Sequence, residues 1–289
     1  MTPTDSNSHT LTPDDWSGSQ GERWLANLDR LESMIEPIGD ALIARAGLAP
    51  GERVLDIGCG GGATTRAIAT LVGPEGEALG IDVAPMLVAE AERRAAAHGI
   101  ANARFLCADA ASVTLEDAPF DRLVSRFGSM FFDEPVAAFA NLHALLKPGA
   151  RIDLAVWGPP RDNAWMMELM GVVRRHVEVP PAQPRAPGPF AFEDLDYLGE
   201  VLDAGGFGAV EVDAYEGRQA IGGPGASPQE AVAFVLGSLG VGRILAEQPD
   251  AVRDAASADL LALFEGHHVA GEGVLLGCRA WLVSARAGG

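Results

Sequence analysis

Residues 53–65 read RVLDIGCGGGATT: an apolar run, an acid, a cluster of glycines and two threonines. Val54, Leu55 and Ile57 suit a strand, and Ala63–Val72 suits the helix that follows. Glycine is needed where the backbone takes positive φ or approaches a ligand closely, and Gly58, Gly60 and Gly62 form GxGxG. A strand that turns through glycines into a helix offers backbone N–H groups to a ligand at the C-terminal edge of a sheet. With Ala63 in the last place, the same residues also satisfy the looser dinucleotide pattern GxGxxG/A. Asp82 ends the next strand, where a carboxylate can hold a ribose diol. On the glycines alone, NAD and S-adenosylmethionine both stay open as ligands.

Asp56 separates the two. It stands at the strand's exit, two residues before the first glycine, where a pyrophosphate would face a carboxylate at close range. S-adenosylmethionine carries an α-ammonium and a sulfonium and no phosphate, so a carboxylate suits it. The alternative for Asp56 is an acid that merely caps the loop.

Outward from this turn, strands and helices alternate. Ala78–Asp82, Arg104–Cys107, Phe120–Ser125 and Arg151–Trp157 read as strands, with helices over Pro85–His98 and Glu134–Leu146. Lys147-Pro148-Gly149 reads as the stop of the second of these helices. Such alternation predicts an α/β fold, a mostly parallel sheet with helices on both faces. Regularity fails after Trp157, where residues 158–192 are rich in proline and carry one helix-like piece, Ala164–His176. Helix returns over Asp194–Ala204, strand over Ala209–Tyr215, helix over Gln229–Glu247 and Asp250–His267, and a final strand over Leu275–Ala285. The expected organisation is a solvated tail (1–15), an N-terminal helical lid (16–50), a cofactor-binding core (51–157, continued in 193–216 and 273–289) and insertions at 158–192 and 217–272. The insertions are expected to cap the substrate, within one α/β domain or, as the alternative, as a second small domain made from 158–192 and 217–272.

Bulk composition narrows the function further. Hydrophobic residues make up 48% of the 289, enough for a real core, and no apolar run reaches the roughly 18–20 residues of a membrane span. A formal charge of −19 repels phosphate backbones, so nucleic acid is not an expected partner. The 3 cysteines, Cys59, Cys107 and Cys278, lack the spacing of a disulfide framework or a metal site. Free thiols and the absence of a signal-peptide pattern point to the cytoplasm.

Several segments, in order, resemble the class I S-adenosylmethionine-dependent methyltransferases. VLDIGCGGG is similar to their first motif, LGIDVAPML to the end of the second strand, FLCADA to the third, FDRLVSRFGSMFF to the fourth and LLKPGARIDLAVW to the fifth. The leader WSGSQGERWLANLDRLE is similar to that of a bacterial ubiquinone/menaquinone-methyltransferase-like subgroup, whose leader often folds over the cofactor. The resemblance implies a Rossmann-like, seven-stranded sheet with the last strand antiparallel. It implies that S-adenosylmethionine is lined by Asp56, Gly58, Cys59, Gly60, Thr64, Asp82, Val83, Asp109 and Ala110, with Asp82 on the ribose and Asp109 on the adenine amino group. Ser125 and Arg126 would lie near the methionine end. In the simplest members a short hairpin joins the last two strands, whereas residues 217–272 intervene here.

Methyl transfer is an in-line displacement that needs alignment first, and a base only for protonated acceptors. The candidates for a base or a positioning charge are Arg126, Asp133 and His176, each with a competing structural reading as ion pair, helix cap or packing residue. His98, His143, His267 and His268 read as helix-end or surface residues. Trp16 and Trp24, Phe131, Trp165 and Met166 are the expected walls of an apolar acceptor pocket, against plain core packing. The expectation is a monomeric or homodimeric enzyme that methylates an O, N or C atom of a small, partly apolar molecule. The competing expectations are a protein that binds the cofactor without catalysis and an NAD(P)-dependent oxidoreductase.

Overall fold

The structure, a computed structural model, describes residues 13–288 apart from residue 182. It opens with α1 (Pro13–Ser17), α2 (Ser19–Ala26) and α3 (Leu28–Ala46). Then come β1 (Arg53–Ile57), α4 (Ala63–Val72), β2 (Glu77–Asp82), α5 (Pro85–Ala97), β3 (Ala103–Cys107), β4 (Phe120–Arg126), α6 (Pro135–Ala144) and β5 (Leu146–Trp157). The remainder is α7 (Ala164–Val173), α8 (Leu195–Ala204), β6 (Phe207–Ile221), α9 (Pro228–Ser238), α10 (Gly240–Ala246), α11 (Asp250–His267), β7 (His268–Val269) and β8 (Gly273–Ala287).

The strands order as β3-β2-β1-β4-β5-β8-β6, with the two-residue β7 added beside β8. The first five are mutually parallel, and β8 runs antiparallel to both β5 and β6. Val54, Leu55, Val124, Ile152 and Leu154 are fully buried, as strands covered on both faces require.

Several boundaries differ from the sequence reading. The helix expected over Glu134–Leu146 ends at Ala144, and Lys147-Pro148-Gly149 belongs to β5. Leu146 already pairs with Phe120, and the register then shifts so that Arg151 meets Arg122, which sets the polar triplet in an irregular stretch where its missing Pro N–H costs little. Strand β6 is longer than its alternating stretch, because all of residues 211–221 find partners along β8. Helix breaks at Leu239, dividing the expected 229–247 helix into α9 and α10. The expected tail falls outside the described residues up to 12, and from Pro13 the chain is helical.

The 217–272 insertion shares the core of the sheet, as an insertion in one α/β domain does. Phe234, Val241, Leu245, Leu260 and Phe264, from the 217–272 insertion, join one continuous apolar core with Ile57, Val124 and Leu154 of the sheet. The β6–β8 pair continues beyond the end of β5, which stops at Trp157 opposite Ala280, so residues 216–221 and 274–279 project as a two-stranded arm. Among the described residues no single helix is long and apolar enough to cross a membrane.

Candidate functional site

The glycine turn is held in place by its neighbours. The N–H groups of Gly58 and Cys59 both donate to Ile81 O, at 2.9 and 3.1 Å, which stitches the loop to β2. Asp82 completes the join: its Oδ2 accepts from Gly60 N at 2.8 Å and its Oδ1 from Ala84 N at 2.9 Å. Burial raises the Asp82 pKa, against the lowering effect of these amides. Gly58 is required twice over, since its φ is +70° and a Cβ there would stand 2.6 Å from Gly128 Cα. The loops after β1 and β4 thus touch backbone to backbone.

Charge gathers at this contact. Asp56 is 1% exposed and accepts a 2.6 Å hydrogen bond from Thr65 Oγ1 on α4. Burial lifts its pKa to about 6, while the Thr65 hydrogen bond and the positive Arg126 oppose the rise. Arg126 ends β4 beneath α3, where its Nη1 lies 3.0 Å from the place a Gly39 Cβ would occupy. Burial lowers its pKa, and Glu32, Asp56, Glu36 and Asp40 counter that from around it. Glu32 gives Oε2 to Arg94 at 3.1 Å, while its Oε1 faces the loop, 2.8 Å from the Cβ position of Gly61.

An aromatic cover lies over the loop. Trp16 and Trp24 meet edge-on at 5.6 Å, and Trp16 and Phe131 at 5.2 Å. Trp24 Nε1 is 3.9 Å from the Cβ position of Gly60. This cover has its own small apolar cluster, in which Leu28, Ala84 and Leu87 pack with Trp24, Leu25 and Met86. A second wall runs from the β4 loop: Phe127 stacks on Trp157 at 4.2 Å, Trp157 meets Trp165 at 5.1 Å, and Trp165 meets Phe190 at 6.4 Å. Phe127 holds the left-handed conformation at φ +63°, tied by its N–H to Ala155 O at 2.9 Å.

The structure sorts the expected site residues. Asp56, Gly58, Gly60, Asp82 and Arg126 converge, and Trp16, Trp24 and Phe131 cover them. Val83, Asp109 and Ala110 follow the adjacent ends of β2 and β3; Asp109 is exposed and spends Oδ1 on Ala111 N at 2.9 Å. The Ser125 hydroxyl donates to Ile57 O at 2.9 Å and accepts from Ser129 N at 3.1 Å, so it braces β4 against β1. The Cys59 side chain turns inward and fills the space above Gly80, 2.9 Å from that residue's Cβ position, which leaves its backbone to face the loop. His176 pairs with Asp259 of α11 at 2.9 Å, away from the loop, and Asp133 is exposed. Trp165 is 5% exposed and bonds Asn163, and Met166 packs against the main core, so both sit apart from the Trp16 cover.

Thr65, Glu32, Gly39 and Gly128 belong to the site and were not picked out from the sequence. Thr64 was chosen, but it is Thr65 that reaches Asp56. A helix reading of Ala63–Val72 does not say which threonine faces β1, whereas Gly39 and Gly128 matter only through what they touch.

Comparison with known proteins agrees with this geometry. Residues 54–149 match a family model described as a methyltransferase domain. Aklanonic acid methyltransferase DauC of Streptomyces sp. (strain C5) is 35% identical over 116 residues, 40% of this chain and 53% of that protein. The ubiquinone/menaquinone biosynthesis C-methyltransferase UbiE of Coxiella burnetii is 32% identical over 122 residues, 42% of this chain and 49% of that one. The chain thus spans about half the length of the curated relatives it matches. In structure, phosphoethanolamine N-methyltransferase 2 of Haemonchus contortus aligns with a TM-score of 0.58 at 17% identity, over 96% of this chain and 60% of that one. Residues 54–149 thus carry a methyltransferase domain, and the fold is the Rossmann-like one of its structural neighbours.

The residues present fit S-adenosylmethionine. Trp16 Nε1, Glu32 Oε1 and Ser129 Oγ are buried without a hydrogen-bond partner, and all three border the glycine loop or the Gly128 turn. Buried polar atoms are normally paired, so their clustering here marks where a polar ligand belongs. Among the described residues no carboxylate stands within ion-pair distance of the Arg126 guanidinium, which is thus free to take one from a ligand.

Proposed function

We propose that this chain transfers the methyl group of S-adenosylmethionine to a small, partly apolar acceptor. One observation carries the reading: a buried carboxylate, Asp56, and a half-buried guanidinium, Arg126, with no ion pair among the described residues, flank one glycine turn. That pair complements the ammonium and carboxylate of one amino acid, whereas a pyrophosphate would meet Asp56 as a like charge.

The cofactor supplies a methyl group already activated by its sulfonium. Asp56 then orients the ammonium, Arg126 the carboxylate and Asp82 the ribose, while Trp16, Trp24 and Phe131 keep water from the reacting centre. The described histidines give no base beside it: His98 bonds Arg94 O, His143 bonds Gly288 O, His176 pairs with Asp259 and His267 with Glu168. His268 follows α11 beside His267. Catalysis on this reading rests on alignment and water exclusion, which can supply most of what methyl transfer needs.

Similarity to proteins named for aklanonic acid and for ubiquinone/menaquinone biosynthesis supports a small organic acceptor. The net charge of −19 disfavours nucleic acid. Three free thiols support a reducing, cytosolic setting, and we expect a monomer or homodimer there.

Calorimetric titration of the full chain with S-adenosylmethionine, S-adenosylhomocysteine and NAD tests the cofactor. Binding of the first two without the third is expected, and NAD binding alone would overturn the reading. Labelled methyl transfer to a panel of small acceptors then separates an enzyme from a protein that binds the cofactor without turnover.

A further inference from the structure

The buried polar atoms without partners fall into three groups. One borders the cofactor loop, and a second, the Nε atoms of Arg122 and Arg151, belongs to guanidinium groups already bound to Asp153. The third lies elsewhere: both amide atoms of Gln219 on β6 and the hydroxyl of Ser238 on α9, two elements that pack together. Gln219 is 1% exposed, and its amide has no protein partner for its donor or its acceptor among the described residues.

Its surroundings narrow what such an amide can meet. Paired residues of a sheet share a face, so Gln219 stands with Tyr215, Gly217 and Ile221 of β6 and with Ala280, Cys278, Leu276 and Val274 of β8. All eight are uncharged, whereas the charged Glu216, Arg218 and Arg279 lie on the other face. The Tyr215 ring leans along the strand, its hydroxyl 2.7 Å from where a Gly217 Cβ would stand, one step from Gln219. This face is presented to α3. At one end Gly223 reaches Ser33 and Arg30, at the other Tyr215 feels Asp40, and Glu32 on the same helix touches the glycine loop. The β6–β8 arm therefore lies against the helix that borders the cofactor site.

We propose that Gln219 is the recognition residue of the methyl-acceptor subsite, between the β6–β8 arm and α3, and that the acceptor meets it with a neutral carbonyl flanked by an N–H or O–H donor. Carboxamides, lactams and enolised hydroxy-ketones share that chemistry. Such a group satisfies both halves of the amide at once. The assignment rests on the methyltransferase reading.

The test uses the full chain saturated with S-adenosylhomocysteine and three probes: 2-naphthamide, 1-hydroxy-2-acetonaphthone and, as apolar control, 2-ethylnaphthalene. At least one polar probe is expected to bind the wild type and to lose tenfold or more on Gln219→Leu, with the control unchanged. Leucine replaces an unpaired buried amide, so the melting temperature is expected to hold or rise; if Gln219→Leu fails to fold, Gln219→Met takes its place. Equal binding of the polar probes by wild type and variant overturns the subsite, and so does failure of both to bind the wild type. A rise in melting temperature with probe binding unchanged means that the amide is merely tolerated or holds a water. S-adenosylhomocysteine binding, read in the same titrations, keeps the two claims apart. Its loss in both proteins overturns the methyltransferase reading, and its retention confines any failure to Gln219.

Discussion

Gly58 and Gly60 look alike in the motif and differ in what a methyl group would meet. At Gly58 it would strike the Gly128 backbone, which has no flexible end to give way, whereas at Gly60 the nearest atom is Trp24 Nε1 at 3.9 Å. Gly58→Ala is therefore expected to cost several kcal/mol and to lower the yield of soluble protein. Gly60→Ala pays about 1–2 kcal/mol for its positive φ and folds, which thermal melts of the two variants compare directly. Asp82→Ala strands the N–H groups of Gly60 and Ala84 as well as the ribose. It is expected to weaken S-adenosylmethionine binding tenfold or more and to lower the melting temperature without ligand, while Asp82→Asn keeps an acceptor and loses less. Asp56 gives the pH dependence. Its folded pKa, about 6, lies above its ordinary 3.8, so protonation favours the ligand-free fold. That contribution is full below the ordinary value and is lost as pH rises through about 6. Cofactor binding runs the other way, because the ammonium needs the carboxylate. Affinity is expected to fall by up to about tenfold per pH unit below 6, with proton release on binding, and Asp56→Asn is expected to flatten the profile. Asp56 and the glycines were legible in the sequence because their chemistry is local. Glu32 and Gly39 were not, because each acquires its role from a residue far away in the chain.

The cover is the element whose independence matters most. Helix α2 buries only Gly21 fully and rests mostly on a small apolar cluster, with Trp24 alone also touching the main core. Trp24→Ala is therefore expected to raise the off-rate of S-adenosylhomocysteine, read by stopped-flow fluorescence, with the melting temperature of the ligand-free protein shifted by a few degrees at most. A collapse in stability would instead make α2 part of the fold's foundation. Elements with a strong period were visible in advance: Ala63–Val72 and Asp250–His267 form as read. The long β6 was not, because Gly217 and the charged Glu216 and Arg218 argue against strand locally and only pairing with β8 holds them. The turn at Lys147-Pro148-Gly149 misled for the same reason, since a stop signal says that helix ends without saying what begins.

Across the whole molecule, one buried carboxylate ties helix to sheet. Asp153 is fully buried and meets Arg151 at 2.6 Å, Arg122 at 3.2 Å and Arg45 at 4.0 Å. Two of these arginines also cap the end of α3, Arg151 at Arg45 O and Arg122 at Ala46 O, and Arg45 reaches Ser284 Oγ on β8 at 2.8 Å. Asp153→Ala leaves three cations without their shared partner and is expected to cost about 3–5 kcal/mol in urea unfolding, with cofactor affinity of the folded fraction unchanged. The place of β8 between β5 and β6 carries a consequence for the cell that makes the protein. On the ribosome, β6 is complete long before β8, which joins it to the sheet, has been synthesised. Until residues 273–287 emerge, the nascent chain holds two unpaired edges, one along Arg151–Trp157 and the other along β6. Such edges invite pairing with other chains. Translation that stalls in α11 would release a product prone to aggregate, and chaperone demand would peak just before β8 emerges.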